Sequence, residues 1–133
     1  MAVVSGTVQD VFNYTAPLGS VVDSSGNQIL CAFVTATFTG TYDQSADAQI
    51  TTLNTTIASK MHSGKTVTLI DACFVAPGDE AGTPIGAKST AISSTTLTCE
   101  LTGGDLSTEH SAAALGTFNR PIAFCVSYKI GQP

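Results

Sequence analysis

Charge is scarce in this sequence: Asp, Glu, Lys and Arg make up 11% of its 133 residues, against about one quarter in an average soluble domain. Much of the surface must therefore be neutral hydroxyl and methyl groups, which suits contact with another protein. Basic residues are scarcest. Five Lys and Arg, at 60, 65, 88, 120 and 129, form no cluster, and the net charge is -5, which excludes the phosphate-binding surface a nucleic-acid partner requires. Tryptophan is missing and only three Tyr are present, so the exposed aromatic platform of a carbohydrate-binding module is not apparent. No apolar run approaches the roughly 20 residues of a membrane span. The opening Met1-Ala-Val-Val-Ser-Gly6 lacks a basic region followed by an apolar stretch, so no secretory signal is expected and the chain reads as soluble and made in a cytoplasm.

Cysteine pairs at CxxC spacing are also missing, which speaks against zinc or thioredoxin-like chemistry. Cys31, Cys73, Cys99 and Cys125 each lie inside an apolar run. Buried free thiols acting as small hydrophobes are the favoured reading; a disulfide between neighbouring strands is the alternative, disfavoured in a reducing cytoplasm.

What the sequence has in abundance is alternation. From Leu30 to Tyr42, Leu30, Ala32, Val34, Ala36, Phe38 and Tyr42 share one face, and Thr35, Thr37, Thr39 and Thr41 the other. This period of two defines a strand with a core face and a threonine ladder. Asp43 to Ser45 then offer cap residues, and Ile50, Leu53, Ile57 and Met61 recur at helical spacing until Gly64, predicting a helix over 46–62 with Asp47 in its first turn and Lys60 in its last. Thr66 to Ala76 is apolar on both faces and is expected as the central strand of the fold, covered by that helix, with Asp71 at its solvent edge. Pro77 to Lys88 reads as an exposed loop. Strands are expected at 88–93, 95–101 and Ile122–Ile130, with a long connection over Thr102–Asn119 containing a short helical turn near Ser111–Leu115. At the other end, Val3–Tyr14 reads as a strand and Val21–Leu30 as a hairpin turned at Ser24–Asn27. The fold class is thus mainly β, a β-sandwich or partly open barrel with one α-helix packed on a sheet, in a single domain over 1–133 whose first ten residues are expected as an extended arm.

Chemical motifs are few. Ser63-Gly64-Lys65-Thr66 imitates the end of a phosphate loop, but Ser59 stands where the earlier glycine belongs, and the order helix then strand is reversed. A helix-terminating glycine explains it. Asp105-Leu-Ser107-Thr-Glu109-His110 gathers acid, hydroxyl and imidazole without a nucleophile elbow, and reads as a capped loop. His62 is a favourable charge at a helix C-terminus, and Asp79 and Glu80 read as a solvated turn without the acidic spacing of a calcium loop. Asn13-Tyr-Thr15 and Asn54-Thr-Thr56 match the glycosylation acceptor pattern and are expected to stay unmodified. No catalytic, cofactor-binding or metal-binding residue is assigned.

In segment order and style over about residues 30–130 the chain resembles small structural proteins of tailed bacteriophages. The resemblance rests on Phe38-Thr-Gly-Thr-Tyr42, Gly64-Lys-Thr-Val-Thr-Leu69, Ala76-Pro-Gly-Asp-Glu80 and Leu101-Thr-Gly-Gly-Asp105. It implies a non-enzymatic virion protein of the capsid-decoration (cement) type, made in the host bacterial cytoplasm and placed on the capsid surface. Such a protein clamps the major capsid protein as a homo-oligomer, often a trimer, without cofactor, nucleic acid or membrane. A tail or head-to-tail connector component is the structural alternative; a carbohydrate-binding module and a small hydrolase are those from other classes. Contacts are expected from the arm Ala2–Asp10, the loops Pro77–Lys88 and Thr102–Asn119, and the tail Gly131–Pro133.

Overall fold

The computed structural model describes residues 3–14 and 21–131. Its elements in chain order are β1 (Ser5–Tyr14), β2 (Val21–Val22), β3 (Gln28–Asp43), β4 (Ala48–Ile50), α1 (Leu53–Met61), β5 (Val67–Ala76), β6 (Gly78–Glu80), β7 (Thr83–Ile92), β8 (Leu97–Gly103), β9 (Ala112–Leu115), β10 (Phe118–Arg120) and β11 (Ile122–Ile130). All the strands join one mixed sheet in the order β10-β6-β7-β8-β4-β1-β3-β11-β5, with β2 and β9 attached to β3. The expected fold class, mainly β with one helix, is what the chain adopts; the large sheet is not closed into a barrel.

The spine is β3, and it forms for the reason its alternation predicts. Ala32, Val34, Ala36, Phe38 and Tyr42 are buried, while the intervening threonines are half-buried or exposed. It pairs antiparallel with β1 on one side and β11 on the other. At Gly40, whose φ of +112° is costly for a side-chain-bearing residue, β3 ends its pairing with β1 and begins pairing with β9. Strand β11 has the predicted limits, and Ile122, Phe124, Val126, Tyr128 and Ile130 all point into the core. The same apolar cluster takes in Leu97, Cys99 and Leu101 of β8 and Leu53 and Ile57 of α1.

Five expectations are corrected. The helix is nine residues, not seventeen by the predicted span 46–62, because Ala48–Ile50 is a strand between β1 and β8. Ile50 satisfies helical and strand spacing alike, and its burial to 1% exposure as a strand residue decides the matter. Asp47 therefore lies outside the helix, and Thr52 at its N-cap has a left-handed backbone with no side-chain cap. Strand β5 is terminal in the sheet rather than central, with Ile70 42% and Val75 48% exposed. Although α1 packs on β5 and β1, the outer side of β5 keeps its apolar residues in solvent, so a doubly apolar run did not mean double burial. Residues 77–88 are not a loop: β6 and β7 form a hairpin joined by Ala81-Gly82, both at positive φ, the geometry of a two-residue type I′ turn. Ala112–Leu115 is a strand, not a helical turn, since the far end of β3 pairs with it and tertiary pairing overrides the helix preference of alanine. Finally, residues 5–10 are no arm. They begin the β1 ladder at Ser5–Thr39, and Val4 is 3% exposed in the core; removing residues 1–8 would unpair sheet backbone and cost the fold. The expected turn before β3 is present, closed by Asp23, which accepts the backbone N–H groups of Ser25 and Asn27 at 2.9 Å each. The helix ends at Met61 with His62 as its C-cap, and Gly64, at φ +82°, lies in the turn that follows, where Lys65 N–H bonds His62 O. The acceptor at Asn13–Thr15 and the contact tail at 131–133 fall partly outside the described residues.

Candidate functional site

Two regions gather reactive or adhesive side chains, and the strands place both. The first is the outer face of β1, β3, β11 and β5. Because side chains alternate along each strand, the odd-numbered residues of β3 and β11 stand opposite the core set. Register then aligns Ser5 with Thr39, Thr7 with Thr37, Asp10 with Thr35, and Phe12 with Phe33. Phe33 faces Cys125, Cys125 faces Cys73, and Ser127 lies between Cys31 and Asp71. The Phe12 and Phe33 rings sit 6.3 Å apart at 47°, and Phe12 is 54% exposed. Hydroxyls flank this apolar strip: Gln9 Nε2 donates to Thr37 Oγ1 at 3.1 Å, while Thr35 Oγ1 is buried without a partner. Its charged side chains are Asp10, Asp43, Asp71 and Lys129, and Lys129 lies 3.8 Å from Asp23.

Three of the four cysteines belong to this face, contrary to the expectation of four buried thiols. Cys31, Cys73 and Cys125 line a shallow cleft of about 170 Å³ with Asp71, Ala72 and Ser127. Cys73 is exposed and Cys31 and Cys125 are half-buried. Burial, then the neighbouring Cys31 and Cys73, push the Cys125 thiol above its ordinary value. Cys99 alone is a core thiol, pushed up to about 12 by burial and by Asp47. A second cleft, of about 220 Å³, lies among Gln9, Thr37, Thr39, Gly116 and Phe118.

The second region is a carboxylate trio. Asp47 before β4, Glu100 in β8 and Glu109 before β9 bring carboxylate oxygens within 4.8 Å of one another, all half-buried. Such oxygens are the donor type a hard divalent cation takes. Two already have hydroxyl partners: Tyr42 Oη donates to Glu109, and Thr90 Oγ1 donates to Asp47 at 2.8 Å. Burial and the Glu109 carboxylate raise the Tyr42 hydroxyl well above its usual range. Sequence spacing could not reveal this trio, since its members come from three separate segments.

The motifs weighed in the sequence resolve into local structure. Ser107 is bonded to Asp105, by its N–H at 3.1 Å and its hydroxyl at 2.8 Å, rather than to His110. The segment closes through Gly103 N–H to Thr108 O and His110 N–H to Leu101 O. His62 is a C-cap 2.7 Å from the Tyr128 hydroxyl, and burial lowers its pKa, so the charged form expected at the helix end is disfavoured. Glu80 is not a solvated turn residue: it is 9% exposed and accepts the N–H groups of Gly116 and Thr117 at 3.1 and 2.8 Å, anchoring the link between β9 and β10. Asn54 Nδ2 donates to Val67 O at 3.2 Å. Comparison with protein-family models, curated proteins and solved structures yields no match.

Proposed function

We propose that this chain is a structural assembly protein, of the capsid-decoration type that its sequence style resembles, and that copies associate through the outer face of β1, β3, β11 and β5. The observation that carries this reading is the exposed Phe12 on a face of thiol, methyl and hydroxyl groups with few charged side chains. Sister copies each carrying a charge of -5 repel one another, and contact through this face brings few of those charges together. Four strands about 4.8 Å apart and eight residues long at about 3.3 Å each offer roughly 500 Å², short of the ~800 Å² per partner in a standard interface. A single contact is therefore weak. Repetition around a ring and over a capsid lattice supplies the avidity such a protein needs, and threefold stoichiometry favours decoration where a larger ring favours a connector.

Sedimentation velocity tests the association: the wild-type chain is expected to form a concentration-dependent oligomer that Phe12→Asp abolishes with the fold intact by circular dichroism. A mass-spectrometric copy-number inventory of purified virions tests the role. A chain that stays monomeric at high concentration and is missing from particles rejects the reading.

A further inference from the structure

Cys73 and Cys125 are directly opposed on β5 and β11. Residues facing each other across an antiparallel ladder have Cα atoms about 4.5–5.5 Å apart, inside the ~4.4–6.8 Å that a disulfide spans. Both thiols line the same cleft, and the exposure of Cys73 opens it to dissolved reagents. Cys31 lines the cleft too, but it faces Ser127 while Cys125 faces Phe33. That makes Cys31 and Cys125 diagonal neighbours, roughly 7–8 Å apart, beyond the reach of a disulfide without backbone movement. Cys99 is buried in β8 and takes no part.

We propose that Cys73 and Cys125 form an oxidisable dithiol that closes to a cross-strand disulfide by exchange with a small-molecule disulfide such as oxidised glutathione. The Cys73 thiolate attacks one sulfur of the reagent and displaces a glutathione thiolate, leaving a mixed disulfide on Cys73. The Cys125 thiolate then attacks the Cys73 sulfur and displaces the second glutathione thiolate. Two protein thiols lose two electrons and two protons, and one oxidised glutathione becomes two reduced molecules. The bond staples β5, which is terminal in the sheet and whose ladder partner is β11, and it closes a long loop, where a cross-link restricts the unfolded chain most. Thiols that stay reduced in a cytoplasm would lock this strand after transfer to an oxidising exterior.

The test incubates the full chain with oxidised glutathione at an alkaline pH, counts thiols, weighs the intact chain and maps unreduced peptides. Wild type is expected to fall from four titratable thiols to two, lose two hydrogens without a glutathione adduct, and yield a peptide joining Cys73 to Cys125. Its thermal midpoint should rise by roughly 10 °C and return on reduction. Cys31→Ser should form the same bond and fall from three titratable thiols to one, Cys125→Ser should retain glutathione on Cys73, and Cys73→Ser should form no internal bond. The monomer-favouring Phe12→Asp should oxidise at least as readily as wild type, which separates this outcome from that of the association experiment. Four surviving thiols in folded protein, a bond to Cys31, a bond between chains, or a persistent adduct on Cys73 of the wild type would each overturn the proposal.

Discussion

Strands β11 and β5 are neighbours of similar composition, yet β11 buries every alternate residue from Ile122 to Ile130 while β5 leaves Ile70, Cys73 and Val75 in solvent. Position in the sheet makes the difference. The even-numbered residues of β11 face a core completed by β8, β4 and α1, whereas β5 ends the strand order and its outer side continues the face that carries Phe12 and Cys125. Apolar content alone therefore does not rank these strands by their contribution to stability; the face on which each residue stands does.

Truncation separates the two faces most sharply. Phe124→Ala, at a fully buried site against Phe74 with ring centroids 5.0 Å apart, should cost ~3–5 kcal/mol in chemical denaturation; a loss under 1 kcal/mol would mean the inner face is loosely packed. Next is Tyr42, an inner-face residue whose hydroxyl reaches the carboxylate trio. Tyr42→Phe should cost about 1–3 kcal/mol because Glu109 loses a half-buried donor, and an unchanged midpoint would show that solvent replaces it. On the outer side the sign reverses: Thr35→Val keeps the shape and removes an unpartnered buried oxygen, so stability should rise by about 1 kcal/mol. A measured loss would reveal a partner for that hydroxyl.

A smaller effect should appear on acidification. Burial holds the His62 pKa below the 6.5 of an exposed histidine, so between those two values the unfolded chain binds the extra proton. The contribution of His62 is whole above pH 6.5 and declines as pH falls through 6.5 toward the folded value. Thermal scans from pH 7.5 to 5 should show a shallow fall that His62→Gln flattens; equal slopes in both chains would assign the fall elsewhere. Least of all, Val75→Ser at a 48% exposed position should change stability by no more than about 0.5 kcal/mol, and a larger loss would place Val75 in a buried contact.

Much of this contrast is visible in the sequence. The period of two in β3 and β11 identifies the inner face, and the same parity assigns the cysteines: Cys31 and Cys125 fall opposite the core set, while Cys99 shares the parity of Leu97 and Leu101. That signal was obscured by the apolar runs around each thiol. Other features depend on distant partners. Ile50 fits a helix or a strand until β8 and β1 claim it, the Ala-rich 112–115 segment becomes a strand because the far end of β3 needs a neighbour, and the turn Ala81-Gly82 uses an alanine where Asn or Asp would have signalled a hairpin. The carboxylate trio is invisible for the same reason, since three segments meet there only after folding.

The many attachments of β3 bear on how the molecule is made. Strands from both ends of the chain lie beside it, and β11 emerges from the ribosome long after β3 has appeared. Closure of the core must wait for that late segment, so the nascent polypeptide carries Val34, Ala36 and Phe38 unshielded through most of its synthesis. Such a high contact order predicts slow refolding, in the millisecond-to-second range, and a reliance on holding chaperones that a truncation just before Ile122 would make permanent.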